Sequence, residues 1–193
     1  MKKNSMIPNE HKKKAPDKIN LALIIVSTSR FNEIKSGNSS TDKTIPKVKE
    51  LLKNNKSVFL TFTEIIPDSE EYINNSLSRL MKDHTIDSIL FSGGTGLSTK
   101  DITYEILEPR LEKKFNGFGE LFRSLSYNEI GTSAILSRAT AGILRGEKKN
   151  KVIFLLPGSP NAVRLALRDI IIPELFKGAM SEIGASDTAI RNR

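Results

Sequence analysis

The feature that most restricts this chain is an unbroken apolar run, Leu21-Ala22-Leu23-Ile24-Ile25-Val26, ending abruptly at Ser27-Thr28-Ser29. A strand with one wet face alternates polar and apolar residues. A continuous run of this length belongs to a strand covered on both sides, as in a parallel sheet. Further strands are read at Val58–Ile66, rich in Val, Phe, Thr and Ile, at Ser88-Ile89-Leu90-Phe91 and at Val152–Leu156. Helical spacing separates the runs. Pro46 suits the first turn of a helix in which Ile45, Val48, Leu51 and Leu52 fall at helical spacing, and Ile73, Leu77, Leu80 and Met81 line a second helix. A short helix stops near Pro109, a third apolar stripe runs through Phe118–Tyr127, and a last helix heads toward Pro173. Asp68 with Glu71, and Ser98 with Asp101, have capping-box spacing, and Asn161 suits the cap of the last helix. Strands alternating with helices specify βαβ units and an α/β class with a mainly parallel sheet.

Residues 1–19 are polar, basic and aperiodic, and read as a disordered tail. Residues 20–180 read as one domain without repeat or linker, and 181–193 as a flexible C-terminal tail. The formal charge is +8. Residues 1–20 carry six lysines against Glu10 and Asp17, so half of that excess belongs to the tail. The tail has no aromatic residue for base stacking, which favours a solvated extension over a nucleic-acid arm. The absence of cysteine excludes disulfides, thiolate metal sites and a cysteine nucleophile. His11 and His84 are the two histidines, too few for a histidine-rich zinc site. No apolar run approaches the ~20 residues of a membrane helix. The N-terminus lacks the apolar segment of a signal peptide, so the expected location is cytoplasmic.

Ligands of open α/β sheets bind beyond the carboxyl ends of the strands. Three loops leave such ends here: Ser27–Thr41, Gly93–Thr99 and Pro157–Pro160. The last two set glycine beside hydroxyls just before a helix. Glycine lets the backbone come close to a guest, and N–H groups at a helix start favour an anion. A phosphate is the natural ligand. The loop Gly93-Gly94-Thr95-Gly96 has neither the third glycine of a dinucleotide fingerprint nor the Gly-Lys-Ser/Thr ending of a P-loop.

Gly93-Gly94-Thr95-Gly96 with Asp101, Gly117-Phe118-Gly119-Glu120, Ile135-Leu136-Ser137-Arg138 and Pro157-Gly158-Ser159 occur in that order. Together they resemble the MoaB/MogA family of molybdenum-cofactor biosynthesis proteins, to which the gephyrin G domain is related. Phe122-Arg123-Ser124-Leu125-Ser126 and Glu129-Ile130-Gly131-Thr132-Ser133 are most similar to the MoaB branch. The resemblance spans about Leu21 to Phe176. It implies a three-layer α/β/α molybdopterin-binding fold and transfer of adenylate from ATP to the molybdopterin phosphate, with Mg²⁺ and release of pyrophosphate. It further implies a homo-oligomer, trimer or hexamer, and a separate molybdate- or tungstate-insertion partner. By position in these motifs, Asp68 and Asp101 match the family's functional carboxylates, which would hold the metal or orient pterin amino groups. Thr95 and Ser126 match hydroxyls that contact the pterin or its phosphate, and Asp42 matches an acidic position at the first helix. Thr28 and Ser29 occupy the first loop. Gly93, Gly94, Gly96, Pro157, Gly158 and Ser159 supply the two anion-binding turns.

Two departures favour an alternative, a non-catalytic molybdopterin carrier or scaffold of the same pathway. Leu155 stands where active members often show asparagine. The segment Arg145-Gly146-Glu147-Lys148-Lys149-Asn150-Lys151 is longer than usual.

Overall fold

The computed structural model describes residues 18–175; residues 1–17 and 181–193 of the expected tails lie outside this range, and Ile19, read as tail, is instead the buried first residue of the first strand. Six strands form one sheet in the order β2-β1-β3-β6-β5-β4. β1 (Ile19–Val26), β2 (Val58–Ile66), β3 (Ser88–Ser92) and β6 (Lys151–Leu156) pair in parallel. β5 (Thr140–Leu144) and the two-residue β4 (Lys113–Lys114) extend the sheet antiparallel. The mainly parallel expectation therefore holds, with an antiparallel edge that the sequence did not announce.

The continuous apolar runs divide by parity between two cores. Leu21, Leu23 and Ile25 of β1 join Val152, Phe154 and Leu156 of β6 on one face. Ala22, Ile24 and Val26 join Ile153 and Leu155 on the other. The first face is covered by α2 (Thr44–Leu52), α5 (Asn116–Ile130) and α6 (Pro160–Ala166). The second is covered by α3 (Glu70–Lys82) and α4 (Thr103–Leu107). This is the three-layer arrangement, and each Leu, Ile or Val buried in it contributes about 1.5–3 kcal/mol. Leu155 is fully buried in the second core, so its side chain serves packing beneath the strand end.

Three local expectations need correction. The stretch after β1 forms a helix, α1 (Thr28–Lys35), where loop was expected; it buries no residue, so no apolar stripe marked it. The boxes at Asp68–Glu71 and Ser98–Asp101 do not start helices. α3 begins after Ser69 and α4 after Ile102, neither with a side-chain capping bond. Ser159, not Asn161, occupies the cap position of α6, because Pro160 fits the first helical turn. Beyond α6 the chain continues as a π-helical segment, Leu167–Leu175, around Pro173.

The amino ends of the strands are tied by buried charge. Asp87 accepts a 2.6 Å bond from the Asn20 N–H and another from the Lys149 ammonium. The Lys151 ammonium, fully buried, donates to the carbonyls of Ile86 (2.8 Å) and Asp83. Burial, reinforced by the nearby Lys149 charge, pushes Lys151 down from 10.5 to about 8. A lysine depressed in the fold costs stability while it is charged. The cost is full below the folded value, shrinks as pH rises from about 8, and is gone above 10.5. Wild type should therefore gain up to about 3 kcal/mol from this group across that window. Lys151→Met should lack that gain when denaturant midpoints at pH 7.5 and pH 10 are compared. Equal pH slopes for the two proteins would contradict the assignment.

Candidate functional site

Three parallel strand ends meet at the loop after β3. The Gly93 N–H donates to Leu156 O at 3.0 Å, and the Ser92 hydroxyl donates to Pro157 O at 3.2 Å. Gly93 has φ +109°, and a Cβ there would lie 2.2 Å from Val26 O of β1. Gly94 has φ +62°, and its Cβ would fall 2.2 Å from Thr103 Oγ1 and 3.1 Å from Asp68 Oδ1. A Cβ on Gly158 would be 3.2 Å from Gly93 Cα. At Gly93 and Gly94 only glycine permits this convergence, since positive φ and the missing side chain are both required.

A cleft of about 450 Å³ opens over this junction, lined by Gly93, Gly94, Thr95, Gly96, Pro157 and Gly158, with Asp68, Asp101 and Arg138 at its sides. A second lobe of about 420 Å³ adjoins it, lined by Thr28, Ser29, Thr99, Lys100 and Ile102; Ser27 and Asp68 belong to both. Gly94 and Thr95 are buried, yet among the described residues the N–H groups of Gly94, Thr95 and Gly96 find no acceptor. Buried backbone donors are nearly always paired, so the free ones at Gly94 and Thr95 suit an acceptor-rich guest.

Asp68 bridges the two lobes. Its Oδ2 accepts from the Thr28 N–H at 3.0 Å and the Thr28 hydroxyl at 2.8 Å, and that hydroxyl in turn accepts from the Asp68 N–H. Asp68 thus serves the N-terminus of α1 rather than that of α3. The Thr28 N–H, an orphan donor at a helix start, claims the carboxylate first. Asp101 holds the glycine loop from the other side. Its Oδ2 accepts from the Ser98 N–H at 3.2 Å, and a Cβ on Gly96 would meet it at 2.7 Å. Each carboxylate keeps one oxygen with no donor among the described residues.

Asp42, Ser126 and Ser159 lie outside both lobes. Asp42 lies just before α2 and accepts from the Ile45 N–H at 2.7 Å, with Arg30 at 3.9 Å. Its Oδ1 is buried without a hydrogen-bond partner. Ser126 is buried on the inner face of α5 alongside Phe118 and Phe122. Ser159 is exposed at the start of α6.

Sequence reasoning gave no role to Arg138, which clamps the glycine loop. Its Nε donates to Thr95 O at 2.8 Å, its Nη2 to Gly96 O and its Nη1 to Glu105. The guanidinium also stacks 5.0 Å from the Tyr104 ring. Arg138 turns the Thr95 and Gly96 carbonyls toward itself. The Arg138 hydrogen bond holds the Glu105 carboxyl below its ordinary range. The available signal was an arginine just before β5, whose start lies beside the carboxyl end of β6.

Fold and cleft together define a three-layer α/β domain with an open cleft over glycine turns at the carboxyl ends of its parallel strands. Residues 22–177 match the model of a probable molybdopterin binding domain, and the chain belongs to that family. It is 41% identical over 171 residues to molybdenum cofactor biosynthesis protein B of Halalkalibacterium halodurans, covering 88% of this chain and 94% of that one. It is 38% identical over 168 residues to the molybdopterin adenylyltransferase of Pyrococcus furiosus, covering 86% and 93%. The crystal structure of the tungsten cofactor synthesizing protein MoaB from Pyrococcus furiosus superimposes with a TM-score of 0.71 at 36% identity, covering 84% of this chain and 95% of that one.

Proposed function

We propose that this chain is an enzyme of molybdenum- or tungsten-cofactor biosynthesis that transfers adenylate from ATP to the terminal phosphate of molybdopterin. The observation that carries this reading is the row of unpaired N–H donors at Gly94, Thr95 and Gly96, beside a second lobe that shares Asp68. One lobe suits a phosphate, and two adjoining lobes suit two phosphate-bearing substrates brought together.

In the reaction an oxygen of the molybdopterin phosphate forms a bond to the α-phosphorus of ATP, and the bond from that phosphorus to the bridging oxygen breaks. Pyrophosphate leaves with the electron pair. The nucleophile is already ionised, so no general base is needed. The barrier is chiefly the approach of two anions, and catalysis rests on positioning and on donors aimed at the developing charge. Backbone N–H groups of the glycine loop, held by Arg138 and Asp101, fill that role.

Asp68 and Asp101 add negative charge beside the phosphates, which a divalent cation would offset. Among the described residues no three acidic or histidine side chains cluster as a metal cage. Mg²⁺ characteristically takes one or two carboxylates plus substrate phosphates and water, and the free oxygens of Asp68 and Asp101 fit that donor set. When bound, Mg²⁺ would supply charge neutralisation between the phosphates. Asp101→Ala should abolish molybdopterin- and Mg²⁺-dependent pyrophosphate release from ATP while leaving the thermal midpoint within a few degrees of wild type. Full turnover by that variant would remove Asp101 from the mechanism.

Leu155, packed in the core where the resemblance implies asparagine, favours the second reading, a non-catalytic carrier. Intact molybdopterin binding without pyrophosphate release would establish it. Assembly with further copies of this chain is part of the proposal. Tyr127 and Ile130 at the end of α5, with Ile135 and Leu136 just beyond, are exposed, Ile135 to 81%. Neighbouring apolar residues left this open suit burial against another copy. Among the described residues, no helix is long and apolar enough to cross a membrane.

A further inference from the structure

A second cavity lies at the opposite end of the sheet, between the last turns of α3 and the turn joining β5 to β6. Its volume is about 460 Å³, matching the cleft's main lobe at about 450 Å³. The six residues of β6 separate the two ends by about 17 Å. Leu77 and Met81 form an apolar wall, while Lys82 and Lys148 line the rim. Neither lysine has an acidic partner among the described residues. Arg145 reaches instead to Glu112 at 3.2 Å, and Glu147 is the one carboxylate in the lining.

The turn's backbone is anchored beside the cavity. The Gly146 N–H donates to Asn150 Oδ1 at 3.3 Å, and Lys149 binds Asp87 Oδ1 and, at 3.4 Å, the His84 carbonyl. A Cβ on Gly146 would come 3.2 Å from Met81 Cε, so the turn lies directly on the helix. This segment is the one whose length set the sequence apart. None of these residues serves the cleft.

We propose that this cavity is a second small-molecule site for an organic phosphate, its flat apolar body on Leu77 and Met81 and its phosphate between Lys82 and Lys148. Two unneutralised ammonium groups match a dianion better than a single carboxylate, and the volume falls within the range of small-ligand sites. The inference does not depend on the adenylate-transfer reading.

The test uses the full chain with ¹³C-methyl-labelled methionine. Of its four methionines, Met81 lines this cavity and none is among the residues lining either cleft lobe. The Met81 signal, identified with Met81→Leu, therefore reads this site alone. Phenyl phosphate should shift it saturably, and inorganic phosphate should need a higher concentration. In Lys82→Gln/Lys148→Gln the phenyl phosphate midpoint should rise about fivefold or more, with an unchanged thermal midpoint. The proposal fails if the Met81 signal does not move, or if its midpoint is the same in the double variant. Equal saturation by inorganic phosphate would overturn the role of the apolar wall.

Discussion

Gly93→Ala is expected to destabilise the domain by about 2–5 kcal/mol and to abolish ligand binding in the cleft. Two causes add. The residue sits at φ +109°, where a side chain is strained whatever the space around it. Its Cβ would also lie 2.2 Å from Val26 O, a backbone atom that cannot swing aside. Either the end of β1 or the glycine loop must move, and either movement separates the free N–H donors. Gly117→Ala is the matched control: it lies in α5, and a Cβ there meets nothing within 4 Å. That change should be neutral or stabilising by about 0.5–1 kcal/mol. Denaturant midpoints and molybdopterin binding for the pair check the prediction, and similar behaviour of the two variants would refute it.

The second large effect is expected at Arg138. Arg138→Ala should lower kcat/KM for pyrophosphate release by about 10- to 100-fold, since displacing a positioned donor by even an ångström costs that much. Stability should fall far less, by about 1 kcal/mol, because the pair with Glu105 is partly exposed and screened. Arg138→Lys should not restore activity. One ammonium cannot reach the Thr95 and Gly96 carbonyls and Glu105 at once, nor stack on Tyr104. If the lysine variant worked as well as wild type, Arg138 would contribute charge and not geometry. For a carrier without turnover, the same comparison is read in the dissociation constant for molybdopterin.

The buried strands were legible because their apolar runs are unbroken, a pattern that only a doubly covered sheet demands. The glycine loops were legible as anion seats because they follow those strands directly. The helix Thr28–Lys35 was not, since it buries nothing and its Ser- and Asn-rich composition resembles a loop. β5, Thr-Ala-Gly-Ile-Leu, is short and weakly apolar, and β4 is a pair of lysines. Missing β5 hid the antiparallel edge, and with it the approach of Arg138 to the glycine loop. Asp68 was read as capping the helix that follows it. Its partner, Thr28, lies forty residues earlier, and no local pattern encodes that choice.

Leu136 belongs to two surfaces at once. It lines the main lobe of the cleft and is 59% exposed within the apolar surface that a second copy would cover. A neighbouring subunit seated there would dry one wall of the lobe and strengthen every charge interaction inside it. Cofactor affinity would then depend on protein concentration. Dilution that separates the subunits would loosen the guest, and the guest would in turn hold the subunits together.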